Sequence, residues 1–560
     1  MRFQSYLHNQ VSSSVLEREV TRRRTFAIIS HPDAGKTTLT EKLLLYGGAI
    51  HLAGAVKKKG GQKHATSDWM EIEKQRGISV TTSVLAFEYQ GYQINLLDTP
   101  GHKDFSEDTF RTLVAADSAV MLLDAAKGVE PQTRKLFEVC RMRGIPIFTF
   151  INKMDRFSRE PLDLLDELEK VLGIRSCPIS WPIGMGDRFR GIFDKEAKEV
   201  HFFEKEEHAN ARKKLPPERV AGINDKLIRN LMGSPDDDPE TKETLHRELQ
   251  NELELLEIAG DAFDLEKVLS GKLTPVFFGS AMNNFGVQHF LEHFITMAPA
   301  PGTRKSVEGI VEPTNPAFSG FIFKIQANMD PLHRDRVAFM RVCSGKFTRG
   351  MDAIHGRLNE VFRLSKPIQF FAQERELIEE AWPGDIVGLL DTSGELRIGD
   401  TLCSDRALQF EGVPRFSPEH FAAVVVLDPL KRKQLKKGLD ELSEEGVVQI
   451  FQQPGLGDKD PILGAVGALQ FEVLQHRLRT EYGAEIKIER LPFIRARWMV
   501  GDGAKPETFN DHSDTRYLQD RDGNPVILFG TDWALNWHSG KYPGVEFLPT
   551  APTSHSKSNN

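Results

Sequence analysis

Short apolar runs alternate with segments of helical spacing over the first half of the chain. Four runs have the length and composition of buried strands: residues 24–29, 94–97, 145–151 and 274–279. Leu39 to Leu45 follows the first run and has the apolar spacing of a helix. Strands that alternate with helices form a sheet covered by helices. We therefore predict an α/β domain over residues 22–300.

Two stretches near or within this domain have a different pattern. Residues 204–257 are charged and interrupted by prolines, and Leu245–Leu256 has helical spacing. We predict that residues 204–257 form an inserted subdomain. The N-terminal extension, residues 1–21, receives no assignment.

The pattern changes after Ala298–Gly302, a Pro-rich segment that we interpret as a linker. Residues 318–325 and 336–342 are short runs rich in aromatic and β-branched side chains. Glycine turns follow at residues 344–345, 383–385 and 393–394. Short strands separated by such turns predict a β-barrel domain over residues 305–414.

An α/β (α+β) third domain is predicted over residues 415–548, with a disordered tail at 549–560. Asp428-Pro429 indicates a helix start and Gly446 its end. The apolar face of this helix consists of Leu435, Leu439 and Leu442. Its basic start opposes the helix dipole, which costs ~0.3–1 kcal/mol of helix stability for each unfavourably placed charge. That start indicates either an RNA or protein contact or a solvated, internally paired face. A second helix is predicted at Gly467–Arg479.

Composition limits the class of protein. The chain has 560 residues, 40% hydrophobic and 27% charged, with a formal net charge of −8. It is too long for one core and has no apolar run of the ~20 residues that a membrane span needs. The net acidity argues against indiscriminate nucleic-acid binding but allows local basic patches on a large RNA machine. The cysteines lack metal-ligand spacing, which favours reduced thiols and a cytoplasmic protein: Cys140, Cys177, Cys343 and Cys403.

The first apolar run leads into a sequence that predicts a phosphate loop at a strand-to-helix turn. Backbone N–H groups there would face phosphate. Lys36 would reach the β- and γ-phosphates, and the Thr37 hydroxyl would bind Mg²⁺. Ser30 stands where the general pattern has Gly, and an ordinary Gly-Lys-Thr helix start is the alternative. The predicted phosphate-binding residues are Ser30, His31, Pro32, Asp33, Ala34, Gly35, Lys36 and Thr37.

The second run ends in a motif suited to a metal and an attacking water. Asp98 could hold Mg²⁺ through water, and Gly101 could bond the γ-phosphate through its N–H. Phosphoryl transfer needs a side chain that orients the water, and His102 is the predicted catalytic residue. A surface turn with a solvated histidine is the alternative. The predicted nucleotide-binding residues here are Asp98, Thr99, Pro100, Gly101 and His102.

Between these motifs Ser79 is predicted as a second direct Mg²⁺ ligand on a loop ordered by γ-phosphate. The preceding residues Ala53–Gln75 are polar and include Lys57-Lys58-Lys59. This composition fits a mobile switch loop, or a disordered basic segment without a switching role.

The third and fourth runs end in motifs that predict guanine recognition. The Asp155 carboxylate can accept from guanine N1–H and the 2-amino group, two donors that adenine lacks on that edge. Asn152 would brace the loop and bond the base, and the Lys153 stem could cover the ring. Backbone groups of the last motif could bond the guanine carbonyl. The predicted residues are Asn152, Lys153, Met154, Asp155, Ser280 and Ala281.

These motifs and their wording resemble the translational GTPases, which include elongation factor G, and most closely the bacterial release factor 3 family. The resemblance is dense from Arg22 to Trp498. It rests on SHPDAGKTT, SDWMEIEKQRGISVTTS, DTPGHKDFSEDT, NKMD, FKIQANMDPLHRDRVAFMRVCSG, IGDTL, DPLKRKQL, LSEEG and GAVGALQFEVL. One departure is Ser79, where many translational GTPases carry Thr.

The resemblance implies a P-loop GTPase domain, a β-barrel and a third domain, without the further domains of elongation factor G. It implies a monomer that binds GTP or GDP with Mg²⁺ and hydrolyses GTP on the ribosome. Its task would be removal and recycling of stop-codon-reading release factors after peptide release. The rival interpretations are an elongation-type translocase, a ribosome-binding module that uses nucleotide only structurally, and a metabolic GTPase or ATPase.

Overall fold

A computed structural model describes most of the chain. The described residues are 13–49, 73, 79–202, 218–220, 222–232, 237–327, 336–371, 374–411, 413, 415–454, 461–501 and 514–552. The predicted basic loop at Lys57–Lys59, most of Ala53–Gln75 and the tail from Thr553 lie outside them, as does part of the predicted insertion.

The first domain alternates strands and helices as the apolar pattern predicts. Its strands are β1 (Arg23–Ser30), β2 (Ser83–Tyr89), β3 (Tyr92–Asp98), β4 (Ser118–Asp124), β5 (Ile147–Asn152), β6 (Arg175–Pro178), β7 (Ser180–Ile183), β8 (Gly191–Asp194), β9 (Glu199–Phe202), β10 (Glu218–Arg219) and β11 (Leu273–Phe278). Its helices are α1 (Ser13–Thr21), α2 (Lys36–Tyr46), α3 (Ser106–Ala115), α4 (Pro131–Met142), α5 (Pro161–Leu172), α6 (Lys226–Leu231), α7 (Pro239–Ala259), α8 (Leu265–Leu269) and α9 (Val287–Met297).

Seven of the described strands form the main sheet, in the order β2-β3-β1-β4-β5-β11-β6. All neighbours are parallel except β2 and β3. Strands β1, β4, β5 and β11 are buried along their whole length, which explains why they read as continuous apolar runs. The carboxyl ends of β1, β3, β5 and β11 carry the four predicted motifs, so the parallel pairing brings the motifs to one edge of the sheet.

The insertion is larger than the predicted 204–257. Strands β7 to β10 form a separate antiparallel sheet, which begins at Ser180, directly after β6. The predicted helix at 245–256 lies inside α7, and the Trp181 indole donates to Glu252 on α7 at 2.8 Å. Residues 180–202 have apolar stretches like those of the main sheet, so the pattern alone did not separate them from it.

The unassigned N-terminal extension contains α1, whose apolar face packs on the second domain. Leu16 and Val20 are buried against Trp382. Glu19 pairs with Arg23 at 2.7 Å, at the start of β1. This helix therefore contacts both the first and the second domain, although it precedes both in the sequence.

The second domain is built of antiparallel strands, as predicted for residues 305–414. The strands are β12 (Arg304–Ser306), β13 (Gly309–Val311), β14 (Ser319–Ala327), β15 (Arg336–Ser344), β16 (Phe347–Thr348), β17 (Asp352–His355), β18 (Glu360–Arg363), β19 (Pro367–Phe371), β20 (Glu374–Leu377), β21 (Glu380–Ala381), β22 (Ile386–Leu390) and β23 (Thr401–Cys403). The main sheet has the order β18-β17-β23-β14-β15-β22-β19-β20.

The third domain packs helices on a sheet that has eight strands among the described residues. The strands are β24 (His420–Val426), β25 (Gln449–Gln452), β26 (Ile462–Ala465), β27 (Ile486–Leu491), β28 (Arg495–Val500), β29 (Thr515–Asp520), β30 (Pro525–Phe529) and β31 (Glu546–Leu548). Their order in the sheet is β27-β24-β26-β25-β29-β30-β28-β31. The helices are α10 (Arg432–Glu445), α11 (Leu469–Tyr482) and α12 (Asp532–Lys541).

Three local predictions in this domain need correction. Asp428 caps a 3-10 turn at Pro429–Lys431 rather than α10 itself. The second helix begins at Leu469, two residues after the predicted start, and ends at Tyr482, three residues after the predicted end. Thr550 lies in the segment predicted as a disordered tail, but it pairs with Phe416.

Buried polar contacts join the first domain to the second. The Thr25 hydroxyl donates to the Gly384 carbonyl at 2.7 Å. Lys324, fully buried on β14, donates to the Thr82 carbonyl at 2.5 Å. Burial lowers the pKa of Lys324, and Asp108 at 3.7 Å opposes that shift. The second domain thus contacts the segment that follows Ser79.

All four cysteines are buried free thiols. Among the described residues, no helix has both the length and the apolar character needed to cross a membrane.

Candidate functional site

The turn between β1 and α2 has the geometry of a phosphate loop. Gly35 has φ +96° and directly precedes Lys36, the first residue of α2. A Cβ at Gly35 would lie 2.4 Å from Nδ2 of Asn152. Glycine is therefore required here for its backbone conformation and for the close approach of Asn152. The N–H groups of the first turn of α2 form the partial positive charge that favours an anion.

A lysine and a carboxylate face each other at the carboxyl edge of the sheet. Lys36 Nζ lies 2.5 Å from Asp98 Oδ1, and both side chains are buried. Asp98 Oδ2 is buried without a hydrogen-bond partner among the described residues. Thr37 follows Lys36 in the first turn of α2. The buried Asp98 oxygen without a partner and the Thr37 hydroxyl are both oxygen donors of the kind that Mg²⁺ prefers, so these residues fit the ion.

Asn152 ties three motifs together. Its Nδ2 donates to the Ala34 carbonyl of the phosphate loop at 2.8 Å. Its Oδ1 accepts from the Ala281 N–H at 2.8 Å. The Met154 N–H donates to the Gly279 carbonyl at 3.1 Å. The predicted bracing role of Asn152 thus has a definite set of contacts.

Lys153 adds a second link to the phosphate loop. It has φ +70°, and its Nζ donates to the Asp33 carbonyl at 2.5 Å and to Asp124 Oδ2 at 2.8 Å. Burial alone would raise the pKa of Asp124, but hydrogen bonds from Lys153 and the Ala126 N–H hold it below its usual value. Sequence reasoning missed Asp124, although its position at the end of the apolar strand β4 is a signal.

Asp155 presents one unpaired oxygen beside this brace. Oδ1 is buried without a hydrogen-bond partner among the described residues, whereas Oδ2 accepts from Asn283 Nδ2 at 2.7 Å. An unpaired buried carboxylate oxygen is costly unless a donor reaches it. The guanine N1–H and 2-amino groups are donors of the kind that it lacks.

The loop that carries Ser280 and Ala281 uses two of its backbone donors within the protein. The Ser280 N–H donates to the Phe285 carbonyl at 2.9 Å, and the Ala281 N–H donates to Asn152. Both N–H groups are therefore used within the protein, where they hold the loop in shape. The motif therefore braces Asn152, and its predicted backbone bond to the guanine carbonyl stays a prediction.

His102 lies on a short loop that contacts the third domain. Its Nδ1 accepts from the Asp104 N–H at 3.2 Å. Asp104 Oδ2 accepts from the Leu469 N–H of α11 at 2.7 Å. Phe105 packs with Val80 and Val473 in a small apolar cluster. The loop that carries His102 is thus held between the first and third domains.

The other predicted site residues lie around the same edge. Thr99 donates from its hydroxyl to the Ile28 carbonyl at 2.6 Å and so joins β3 to β1. A Cβ at Gly101 would lie 3.5 Å from the His31 carbonyl oxygen, which places the second motif against the phosphate loop. Ser79 precedes β2, whose first residue, Ser83, pairs with Asp98.

The buried imidazole of His31 faces a partly exposed carboxylate, a contact that sequence reasoning did not find. Its Nε2 lies 2.9 Å from Glu130 Oε2. Burial lowers the pKa of His31, and the carboxylate of Glu130 opposes that shift. No motif covers Glu130, so only the folded contact identifies it.

Three family models match the chain in order. The Elongation factor Tu GTP binding domain matches residues 21–300, Elongation factor G domain 2 matches 317–405, and Class II release factor RF3, C-terminal domain, matches 410–539. A crystal structure of a protein from Thermus thermophilus has a similar fold, with a TM-score of 0.64 at 22% identity over 90% of this chain and 72% of that one.

Relatives match over nearly the whole length. Peptide chain release factor 3 of Symbiobacterium thermophilum is 56% identical over 95% of this chain and 98% of its own. That of Gloeobacter violaceus is 55% identical over 97% of this chain and 100% of its own. The P-loop GTPase domain, β-rich second domain and third domain agree with the predicted fold. The chain therefore belongs to the peptide chain release factor 3 family and is a translational GTPase that acts in termination.

Proposed function

We propose that the ribosome stimulates GTP hydrolysis by this protein, and that its GTP-bound form removes a stop-codon-reading release factor after peptide release. The observation that carries the first part is the contact between Asp104 and Leu469. It links the loop of His102 to the third domain, so a force on that domain can reposition the histidine. The protein would act as a cytoplasmic monomer.

In the proposed binding mode, the first two motifs hold the phosphates of GTP and the Mg²⁺ ion. Lys36 would exchange its contact with Asp98 for the β- and γ-phosphates, and the N–H groups at the start of α2 would bond the same phosphates. Thr37, Ser79 and, through water, Asp98 would hold Mg²⁺. That ion would neutralise charge on the phosphates. Gly101 would bond the γ-phosphate through its N–H.

His102 would orient the water that attacks the γ-phosphate. In this structure its Nδ1 accepts a hydrogen bond, so the neutral ring carries its proton on Nε2. This tautomer offers a donor to the site. A shift of the third domain would pull on Asp104 and release the ring from its present contact. The ribosome would supply that shift, which explains why the free protein is expected to turn over slowly.

Release-factor removal requires differential affinity for two ribosomal states. A ligand shifts an equilibrium only by the difference in its affinities for the two states. The GTP form would prefer a ribosome that a stop-codon-reading release factor cannot share, and hydrolysis would allow this protein to leave. The similarity to relatives named peptide chain release factor 3 supports this assignment.

Dissociation of a labelled release factor from post-release ribosomes tests this function. We expect the protein with GTP to speed dissociation severalfold or more, because only the GTP form is proposed to favour the excluding state. GDP provides the matched control and should have little effect. Movement of messenger and transfer RNA by one codon, with the release factor still bound, would instead support a translocase. Efficient release-factor removal without any GTP turnover over many rounds would support a purely structural use of nucleotide.

Asp155→Asn tests the assignment of the base-reading loop. We expect GTP affinity to fall about a hundredfold. The carboxylate can accept from both guanine donors, whereas the amide replaces one of its oxygens by an N–H₂ group that repels a donor. Xanthosine triphosphate, with a carbonyl at position 2, should bind the variant better than GTP. Competition titrations with both nucleotides measure the change, and Asp166→Asn, an exposed change on α5, is the control. Unchanged GTP affinity would show that another group reads the base.

A further inference from the structure

A cluster of one aspartate and three histidines lies between the inserted sheet and α9, outside the nucleotide site. Ligand-type atoms of Asp194, His201 and His289 all lie within 4.8 Å of one another. Asp194 ends β8, and His201 lies on β9. His289 and His293 lie on α9, four residues apart and on one face of that helix.

Two imidazoles converge on one carboxylate oxygen. His289 Nε2 lies 2.8 Å and His293 Nε2 lies 3.0 Å from Asp194 Oδ2. The other oxygen of Asp194 accepts from the N–H groups of Glu196 and Ala197 at 2.9 and 2.8 Å. The carboxylate is therefore fixed by the backbone and directed at both rings.

The His289 ring has one buried nitrogen that no described residue bonds. Its side chain is 4% exposed, and its Nδ1 is buried without a hydrogen-bond partner in the part of the chain that the structure describes. The ring of His201 stands edge-on to it, with centroids 4.9 Å apart. Buried ring nitrogens are normally satisfied, so the described residues do not give this imidazole a full set of partners.

We propose that a divalent transition-metal ion, Zn²⁺ first among them, is bound between the inserted sheet and α9 by four side chains: Asp194, His201, His289 and His293. Imidazole and carboxylate are donors for zinc, and histidines four residues apart on a helix suit one ion. Hard ions such as Mg²⁺ and Ca²⁺ prefer oxygen ligands and fit this donor set less well.

The cluster needs only small adjustments to take the ion. Zinc–ligand distances of about 2.0–2.2 Å place tetrahedral ligands about 3.3–3.5 Å apart. The contacts of His289 and His293 with Asp194 would open slightly, and His201, which is only half-buried, would close toward the centre. The ion would fasten the inserted sheet to the domain that reads the nucleotide.

Titration of the full-length protein with Co²⁺ and with Zn²⁺ alone tests the site. The protein is first saturated with GDP and excess Mg²⁺, so that the nucleotide site does not take the added ion. We expect about one tightly bound ion per chain. Co²⁺ should give the intense visible absorption of a tetrahedral nitrogen-ligated site, and the bound ion should raise the unfolding temperature.

Single substitutions at the two more accessible histidines decide the outcome. His293→Ala and His201→Ala each remove one proposed ligand. Each should weaken Zn²⁺ binding by more than about tenfold to hundredfold, which is the loss typical when only a hydrogen-bond partner of a ligand is removed. GDP binding and circular dichroism show whether the variants remain folded. His420→Ala, at an exposed histidine on β24, is the matched control and should leave Zn²⁺ binding unchanged. The absence of a tight ion in the wild type, or equal Zn²⁺ affinity in wild type and both variants, would overturn the proposal.

Discussion

Replacing Lys36 by alanine is expected to remove most of the affinity for GTP and GDP. The ammonium group lies at the start of α2, buried beside Asp98, where it faces the proposed position of the β- and γ-phosphates. Truncating one member of a buried, hydrogen-bonded charge pair costs about 2–5 kcal/mol, which corresponds to a rise in Kd of about 30-fold to several thousandfold. Equilibrium titration with a fluorescent guanine nucleotide measures the loss.

The control must separate nucleotide binding from folding. Lys36→Ala also leaves Asp98 Oδ1 without its present partner, so thermal unfolding of the nucleotide-free variant should be recorded beside the titration. Lys135→Ala removes an exposed lysine of α4 in the same domain and should bind GTP like the wild type. A folded Lys36→Ala protein with wild-type GTP affinity would refute the phosphate-loop assignment.

Two kinds of contact could be predicted from the sequence alone: those within one short motif, and those between motifs at the carboxyl ends of parallel strands. The four motifs follow buried strands, and parallel pairing of β1, β3, β5 and β11 brings them together at one edge. The sheet order itself was not needed for this prediction, because all carboxyl ends of a parallel sheet lie at one edge. For this reason the sequence was sufficient to assign a GTP-binding domain.

Contacts between domains could not be predicted in the same way. Lys324 lies in an apolar strand of the second domain and gives no sign that it donates to Thr82 of the first. Asp104 and Leu469 are far apart in sequence, and neither belongs to a motif that names the other. The internal bonds of Ser280 and Ala281 were unpredictable for the same reason, because Phe285 and Asn152 accept from their N–H groups only in the folded loop.

The helix α10 shows how such contacts resolve an ambiguous charge pattern. Its acidic end opposes the helix dipole, yet Glu445 is fully buried and pairs with Arg477 at 2.7 Å, and Glu444 pairs with Arg336 of the second domain. The acids are therefore internal partners at a domain junction. The basic start at residues 431–437 remains mainly exposed, and its predicted RNA or protein contact stays a prediction.

His102→Ala is expected to abolish most ribosome-stimulated hydrolysis while GTP binding is retained. His102 contacts Asp104 and the apolar cluster around Phe105, and its imidazole is not needed to hold the nucleotide in the proposed binding mode. Positioned acid–base or water-orienting groups contribute about 10²–10⁴-fold to rate, so stimulated kcat should fall by that factor. GTP affinity should change less than about twofold, within the ±0.5 kcal/mol of a substitution away from the binding contacts. Single-turnover hydrolysis on ribosomes measures the rate, and nucleotide titration measures the affinity.

Two further variants separate the role of the ring from the role of its loop. His102→Gln keeps a hydrogen-bond donor on a side chain of similar reach, so it should retain more stimulated activity than alanine if the group orients water through its Nε2–H. Asp104→Ala leaves the imidazole in place but removes the carboxylate that accepts from the Leu469 N–H. If the third domain positions His102 through this contact, Asp104→Ala should lower stimulated turnover while the slow rate of the free protein stays unchanged. Equal loss of both rates in Asp104→Ala would mean that the loop itself is disrupted, and wild-type stimulation in His102→Ala would move the catalytic role to another residue.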